Sequence, residues 1–120
     1  MSISIDDLKK LGEDTFAKLQ LEVTALLASS EEIVVSTGAD YLLKAKGRFT
    51  QIMQIVLTGE FTGKDAVQFF LNRMDDEKNI LKGMFFYLET VAKSQVETLA
   101  TSVQSILIKS ATDFLNSVQV

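Results

Sequence analysis

The chain has 120 residues and a formal net charge of −4, and 47% of its residues are hydrophobic against 23% charged. This length suits a single domain, residues 1–120, and so apolar a composition excludes a disordered chain. Cysteine and histidine are both absent, which excludes a disulfide framework and removes the side chains of most nucleophilic and metal-dependent sites. We therefore predict no enzymatic activity, no catalytic or metal-binding residues and no cofactor.

The amino terminus lacks the order of a signal peptide, a basic segment followed by an apolar one, because Asp6 and Asp7 stand where basic residues would be expected. The longest uncharged stretches, 49–59 and 98–108, are about half as long as the roughly 20 residues needed to span a bilayer. The sequence thus predicts a cytoplasmic protein without a membrane-spanning segment.

In the first half of the chain, apolar residues recur at steps of three and four, the spacing of amphipathic helices. Helix 1 is predicted from about residue 5 to about residue 35. Thr37 followed by Asp40 approximates a capping box, so helix 2 is predicted to run from there to about residue 58. The segment Ser29–Glu32 offers a competing start, and the apolar spacing also continues through both places. A continuous helix over this region is therefore an open alternative.

The clearest turn lies between Thr58 and Asp65, where Gly59 can close one helix and Thr62 can cap the next. Helix 3 is predicted from about Gly63 to Met74, and the acidic residues 75–77 are predicted to mark the start of helix 4. From residue 81 to 118 apolar residues recur every eleven positions, which predicts one long, nearly straight helix. The same rows extend backwards through the acidic residues.

Two architectures fit these patterns. The favoured one is an all-α, up-and-down bundle of four helices of roughly 32, 21, 12 and 42 residues, the last one long. The alternative is a two-helix hairpin, with helices over 5–58 and 64–118, which must dimerise to bury its apolar stripes.

Polar groupings in the sequence have plain structural interpretations. The segment 59–65 resembles a phosphate-binding loop only superficially, since its glycine spacing is one residue short and no strand precedes it. Residues 75–77 fit a helix N-terminus, where acidic side chains are favoured. The densest basic group, which includes Lys44 and Arg48, is predicted to be solvated surface, because the chain is acidic and has no nucleic-acid-binding motif. Tyr41 and Tyr87 are expected to pack with their hydroxyls at the rim of the core.

Aromatic residues cluster between residues 61 and 87, and two adjacent pairs point about 100° apart on a helix, so one core cannot easily take every ring. One interpretation is a broad core that surrounds the last helix. The favoured one is an association surface made of Phe69, Phe70, Phe85, Phe86, Ile108 and Leu115.

The function predicted from these patterns is association without catalysis. The protein would self-associate, with a dimer favoured, or dock a protein partner through an apolar face of the C-terminal helix. No nucleic-acid partner is expected. The alternative is a carrier or surface coat for a lipid-like ligand, held by amphipathic helices that open.

Overall fold

A computed structural model describes residues 5–58, 63–88 and 91–118. These residues form four helices and no strand: α1 Ile5–Leu26, α2 Glu32–Leu57, α3 Gly63–Phe86 and α4 Lys93–Val118. Each helix packs against the next, and α1 also packs against α4, so the helices occupy the corners of an up-and-down bundle. The predicted all-α, four-helix bundle is confirmed, and the two-helix hairpin does not form.

The core runs along the bundle axis and takes side chains from every helix at helical spacing. Its largest fully buried members include Leu19, Tyr41, Phe49, Met74, Phe85, Leu99 and Leu107. Phe16 of α1 and Phe49 of α2 pack as a tilted aromatic pair with ring centroids 5.9 Å apart. The bundle is elongated and measures 47 × 24 × 19 Å, because each helix is longer than the bundle is wide.

The first helix break lies earlier than the favoured prediction placed it. Helix α1 ends at Leu26 and α2 begins at Glu32, so the competing start near residues 29–32 is right and the start at Thr37 is wrong. The Ser36 and Thr37 hydroxyls donate back to the carbonyl oxygen of Ile33, at 3.1 and 2.7 Å. Serine and threonine can satisfy their hydroxyls within a helix in this way, so here they do not interrupt it.

Gly38 lies inside α2 and is explained by close helix packing rather than by a turn. A Cβ atom placed on Gly38 would lie 3.0 Å from Leu27 Cδ1 and 3.1 Å from Val23 Cγ1. Gly12 of α1 is similarly close to α2, since a Cβ there would lie 3.0 Å from Thr50 Oγ1. Both glycines let α1 and α2 approach each other closely.

The acidic residues 75–77 lie in the middle of α3, so the prediction that they mark a helix start is wrong. Each has a partner there: Asp75 accepts a hydrogen bond from Gln104 (2.8 Å), Asp76 pairs with Arg73 (3.2 Å) and Glu77 pairs with Arg48. The chain turns instead between Phe86 and Lys93, so the predicted last helix of about 42 residues is wrong. The helices α3 and α4 have 24 and 26 residues.

The predicted turn after Thr58 is confirmed, since α2 ends at Leu57 and α3 begins at Gly63. The capping roles predicted for Gly59 and Thr62 lie outside the described residues. At the opposite end of the bundle, Gln95 of α4 donates a hydrogen bond to the Ser30 hydroxyl (3.1 Å), which ties the α1–α2 connection to the start of α4. Within the described ranges, no helix is apolar over a long enough stretch to cross a membrane.

Candidate functional site

A buried polar network joins α2 to α3. Glu77 is only 3% exposed. Its carboxylate accepts hydrogen bonds from Arg48 Nε at 2.7 Å, from Arg48 Nη2 at 2.8 Å and from the Tyr41 hydroxyl at 3.0 Å. The Arg48 guanidinium also lies over the Tyr41 ring, 5.8 Å from its centroid. The bidentate geometry is the strong form of an arginine–carboxylate pair.

Helical spacing brings these three side chains together. Tyr41 and Arg48 are seven residues apart on α2, and so share the face that meets α3. On α3, Glu77 follows Met74 by three residues and precedes Leu81 by four, and both neighbours are buried. Glu77 therefore occupies a core position of an otherwise apolar stripe. Arg48 lies at the rim with a third of its side chain exposed.

The network favours one fixed protonation state. Burial raises the pKa of the Tyr41 hydroxyl well above its ordinary value, and the charge of Glu77 and its hydrogen bond with Tyr41 raise that pKa further. Arg48 opposes this in part. The hydrogen bonds that Arg48 donates to Glu77 raise the pKa of its guanidinium, against the effect of burial. Tyr41 and Arg48 thus both keep their protons at neutral pH, which suits a structural clamp better than acid–base chemistry.

The raised pKa of Tyr41 predicts a loss of stability in alkali. The unfolded chain loses the tyrosine proton near pH 10, while folded Tyr41 keeps it, so stability present below pH 10 falls above it by up to about 1.4 kcal/mol per pH unit. Urea unfolding of wild type and Tyr41→Phe between pH 9 and 11 should show a shallower decline in the variant. Tyr87→Phe, the same change at an 88% exposed side chain, should keep the wild-type decline. Equal slopes for Tyr41→Phe and wild type would contradict the assignment.

The sequence did not predict this network. Glu77 is buried inside α3 rather than at a helix N-terminus, and Arg48 is partly buried and paired rather than solvated surface. Tyr41 packs in the core as predicted, but its hydroxyl is buried rather than at the rim. One signal was available, because an acidic residue stands between Met74 and Leu81 in the apolar stripe. A carboxylate at such a position needs a buried partner. Local spacing does not show which basic residue supplies it.

The six residues of the predicted association surface are placed differently from one another. Phe70 and Phe85 belong to the core, and Phe69, Ile108 and Leu115 are partly buried and pack against it. Phe86 is 54% exposed. The rings of Phe70 and Phe85 are therefore occupied by packing within the chain, and among the six only Phe86 leaves most of its side chain at the surface. Their role in association stays a prediction.

Exposed apolar residues gather on two helices. Of the ten large apolar side chains that are exposed in the described residues, eight lie on α2, on α3 or in the turn after α3, and none lies on α4. The eight are Ile33, Val35, Leu43, Val67, Leu71, Ile80, Phe86 and Tyr87. The apolar residues that were expected to make an exposed face on the C-terminal helix, Ile108 and Leu115, pack against the core instead.

A long open depression, the α2–α3 groove, runs between these two helices. Its first half, about 830 Å³, lies near Ile55 and Phe69 and has the buried network in its wall. Its second half, about 680 Å³, lies near Ser36 and Tyr87. Ile80 lines both halves, so the two are adjacent. The groove walls combine apolar side chains with charged side chains that are already paired, among them Arg73 with Asp76 at 3.2 Å.

Other polar groups lie between helices without forming a second site. Lys82 pairs with Glu97 across α3 and α4 at 2.9 Å, and this hydrogen bond lowers the pKa of Glu97. The Thr15 hydroxyl of α1 is buried and has no hydrogen-bond partner, which costs stability rather than adding function. Within the part of the chain that the structure describes, no three acidic side chains gather as a metal ion would require.

The structure is a four-helix up-and-down bundle whose exposed large apolar side chains, within the described residues, lie mostly on α2, on α3 and in the turn after α3. Comparison with protein-family models, with curated protein sequences and with solved structures gives no match.

Proposed function

We propose that this protein is a non-enzymatic helical bundle that acts by association, first of all with a second copy of itself, through the apolar residues of α2 and α3. The observation that carries the proposal is the concentration of eight of the ten exposed large apolar side chains on these two helices and the turn that follows them. Burying apolar surface stabilises by about 25 cal/mol per Å². Of the eight, Ile80 and Tyr87 both line the groove, and neighbouring exposed apolar side chains are typical of an interface, whereas singly scattered ones are ordinary.

The proposal moves the association surface away from the C-terminal helix. The apolar side chains Ile106, Ile108 and Leu115 of α4 pack against the core, so a partner would gain little from them. Ile80 and Tyr87 line the α2–α3 groove and are exposed, so a partner placed there would remove both from water. Phe86, the most exposed of the residues predicted from the sequence, is the last residue of α3 and is not among the residues that line the groove.

The proposal predicts a concentration-dependent dimer that two charges on the α2–α3 face disrupt. Ile80→Asp with Tyr87→Asp should weaken self-association by tenfold or more, since each charge would have to be desolvated at the interface. The matched control is Ile5→Asp with Leu21→Asp, the same two charges at exposed apolar positions of α1. Sedimentation equilibrium gives the dissociation constants, and circular dichroism at 222 nm checks that both variants stay helical.

Three results would contradict the proposal. If the wild-type protein is a monomer without added mass at every concentration in sedimentation and native mass spectrometry, self-association is ruled out. A monomer that retains an added mass of a few hundred daltons would favour the carrier for a lipid-like ligand instead. Equal weakening by the α1 control would show that added negative charge, rather than the α2–α3 face, is responsible.

A further inference from the structure

We infer that the α2–α3 groove receives the α2 and α3 helices of a second copy across a twofold axis, with Gly47 and Gly83 at the points of closest backbone approach. The inference rests on the proposed self-association and adds which surfaces meet. A twofold contact uses the same surface on both copies, as most soluble homodimers do. Three observations carry it: two exposed glycines, the balance of charge along the groove and the size of the face.

Gly47 and Gly83 lie inside α2 and α3, where glycine is less favourable than alanine. A Cβ atom at either position would meet nothing within 4 Å, in contrast to Gly12 and Gly38, which face neighbouring side chains closely. Packing within the chain therefore explains the glycines at positions 12 and 38 but not those at 47 and 83. A glycine on an outer helix surface allows another backbone to come close.

Both glycines belong to the groove side of their helices. Gly83 lines the groove directly, together with Ile80 and Tyr87. Gly47 follows Asp40 by seven residues and precedes Gln51 by four, so it shares the helix face of two residues that line the groove. Gly83 thus lies in the lining of the groove, and Gly47 lies on the α2 face next to residues that line it.

The charges along the groove favour a copy of the same chain as its occupant. Each carboxylate lining the groove has a basic partner: Asp40 pairs with Lys44 at 3.1 Å, Asp76 with Arg73 at 3.2 Å, and Glu77 with Arg48 at 2.7 Å. The groove is therefore locally neutral in a chain whose net charge is −4. Two copies can meet through a neutral face without the repulsion that their remaining surfaces impose, while a strongly charged partner finds no complement there.

The size of the face also fits a protein partner. The long sides of the bundle measure 47 Å by 19 to 24 Å, which leaves room for the roughly 800 Å² per partner that a standard interface buries. The groove is open along its length, a shape that accepts a helix. Small-molecule sites, by contrast, enclose most of their ligand.

The test replaces both glycines by a long side chain that is tolerated in helices. Gly47→Gln with Gly83→Gln should raise the midpoint of thermal unfolding at low protein concentration, because the helices gain propensity where space is open. The same variant should weaken the dimer by about 30-fold or more in sedimentation equilibrium, because the backbones can no longer approach. The matched control places the same side chain at two small, exposed residues of α1 and α4, Ala17→Gln with Ser105→Gln, and should leave the dissociation constant within about twofold.

The possible outcomes distinguish the close approach at the two glycines from the proposed self-association. A glycine variant that dimerises as tightly as wild type would overturn the close approach, and if Ile80→Asp with Tyr87→Asp still weakened the dimer, association through this face would stand. A wild-type protein that never dimerises would overturn both. Equal weakening by the control on α1 and α4 would also contradict the assignment of the contact to α2 and α3.

Discussion

Arg48→Met is expected to lower the free energy of unfolding by about 3 kcal/mol at pH 7. The methionine keeps the aliphatic bulk but leaves the Glu77 carboxylate, which is almost wholly buried, with the Tyr41 hydroxyl as its remaining hydrogen-bond donor of the network. A buried charge that loses its counter-charge keeps its desolvation cost. Urea unfolding followed by circular dichroism at 222 nm measures the loss.

Two variants define what such a loss would mean. Lys44→Met breaks an exposed pair with Asp40 on the same helix, and exposed pairs contribute about 0.2 to 1 kcal/mol. The triple change Tyr41→Phe, Arg48→Met and Glu77→Leu should recover most of the stability, since an apolar replacement of a buried ion pair is often neutral or better. A single Arg48→Met variant as stable as Lys44→Met would show that Glu77 is not confined to the interior as described.

Phe85→Ala is expected to lower the free energy of unfolding by about 3 to 5 kcal/mol, the range for a buried phenylalanine, because its ring is only 1% exposed. The same change at the next residue, Phe86→Ala, should cost less than about 1 kcal/mol, because that ring is half in solvent. The two substitutions make the same chemical change at adjacent positions of α3, so they differ mainly in how deeply the ring is buried. Urea unfolding at low protein concentration measures both changes.

When dimerisation is measured instead of stability, Phe86→Ala should be the variant with the direct effect. Phe86→Ala, at an exposed ring next in sequence to the groove-lining Tyr87, should weaken the proposed dimer at unchanged helicity, whereas Phe85→Ala should act through stability. Both rings belong to the association surface predicted from the sequence, and this experiment separates their roles. A large loss of stability from Phe86→Ala would place its ring in the core and contradict the bundle as described.

The fold class was predictable because it depends on local spacing. Apolar residues at steps of three and four predicted helices throughout, and the glycine and threonine between Thr58 and Asp65 predicted the turn that separates α2 from α3. The other two breaks were less predictable. Ser36 and Thr37 resemble a helix start but bond back to Ile33 inside α2. The rows of eleven continue across the turn at 87–92 because both α3 and α4 present an apolar stripe to the same core.

The polar network and the exposed face could not be predicted in the same way. Arg48 and Glu77 are 29 residues apart, and their 2.7 Å contact exists because α2 and α3 are neighbours in the bundle. Phe85 and Phe86 are adjacent and chemically identical, and only the direction of the core relative to α3 decides which ring is buried. Spacing along one helix contains no information about the orientation of the next.

For this protein, composition and apolar periodicity alone determined an all-α bundle without a disulfide framework, because helix formation and amphipathicity are properties of each segment. The tertiary structure alone decided where α1 and α3 end, which carboxylate is buried and paired with Arg48, and which apolar side chains stay in solvent. These features depend on the pairing of helices, whose energies come from contacts between residues far apart in the chain. The surface on α2 and α3, on which the proposed association depends, belongs to that second group.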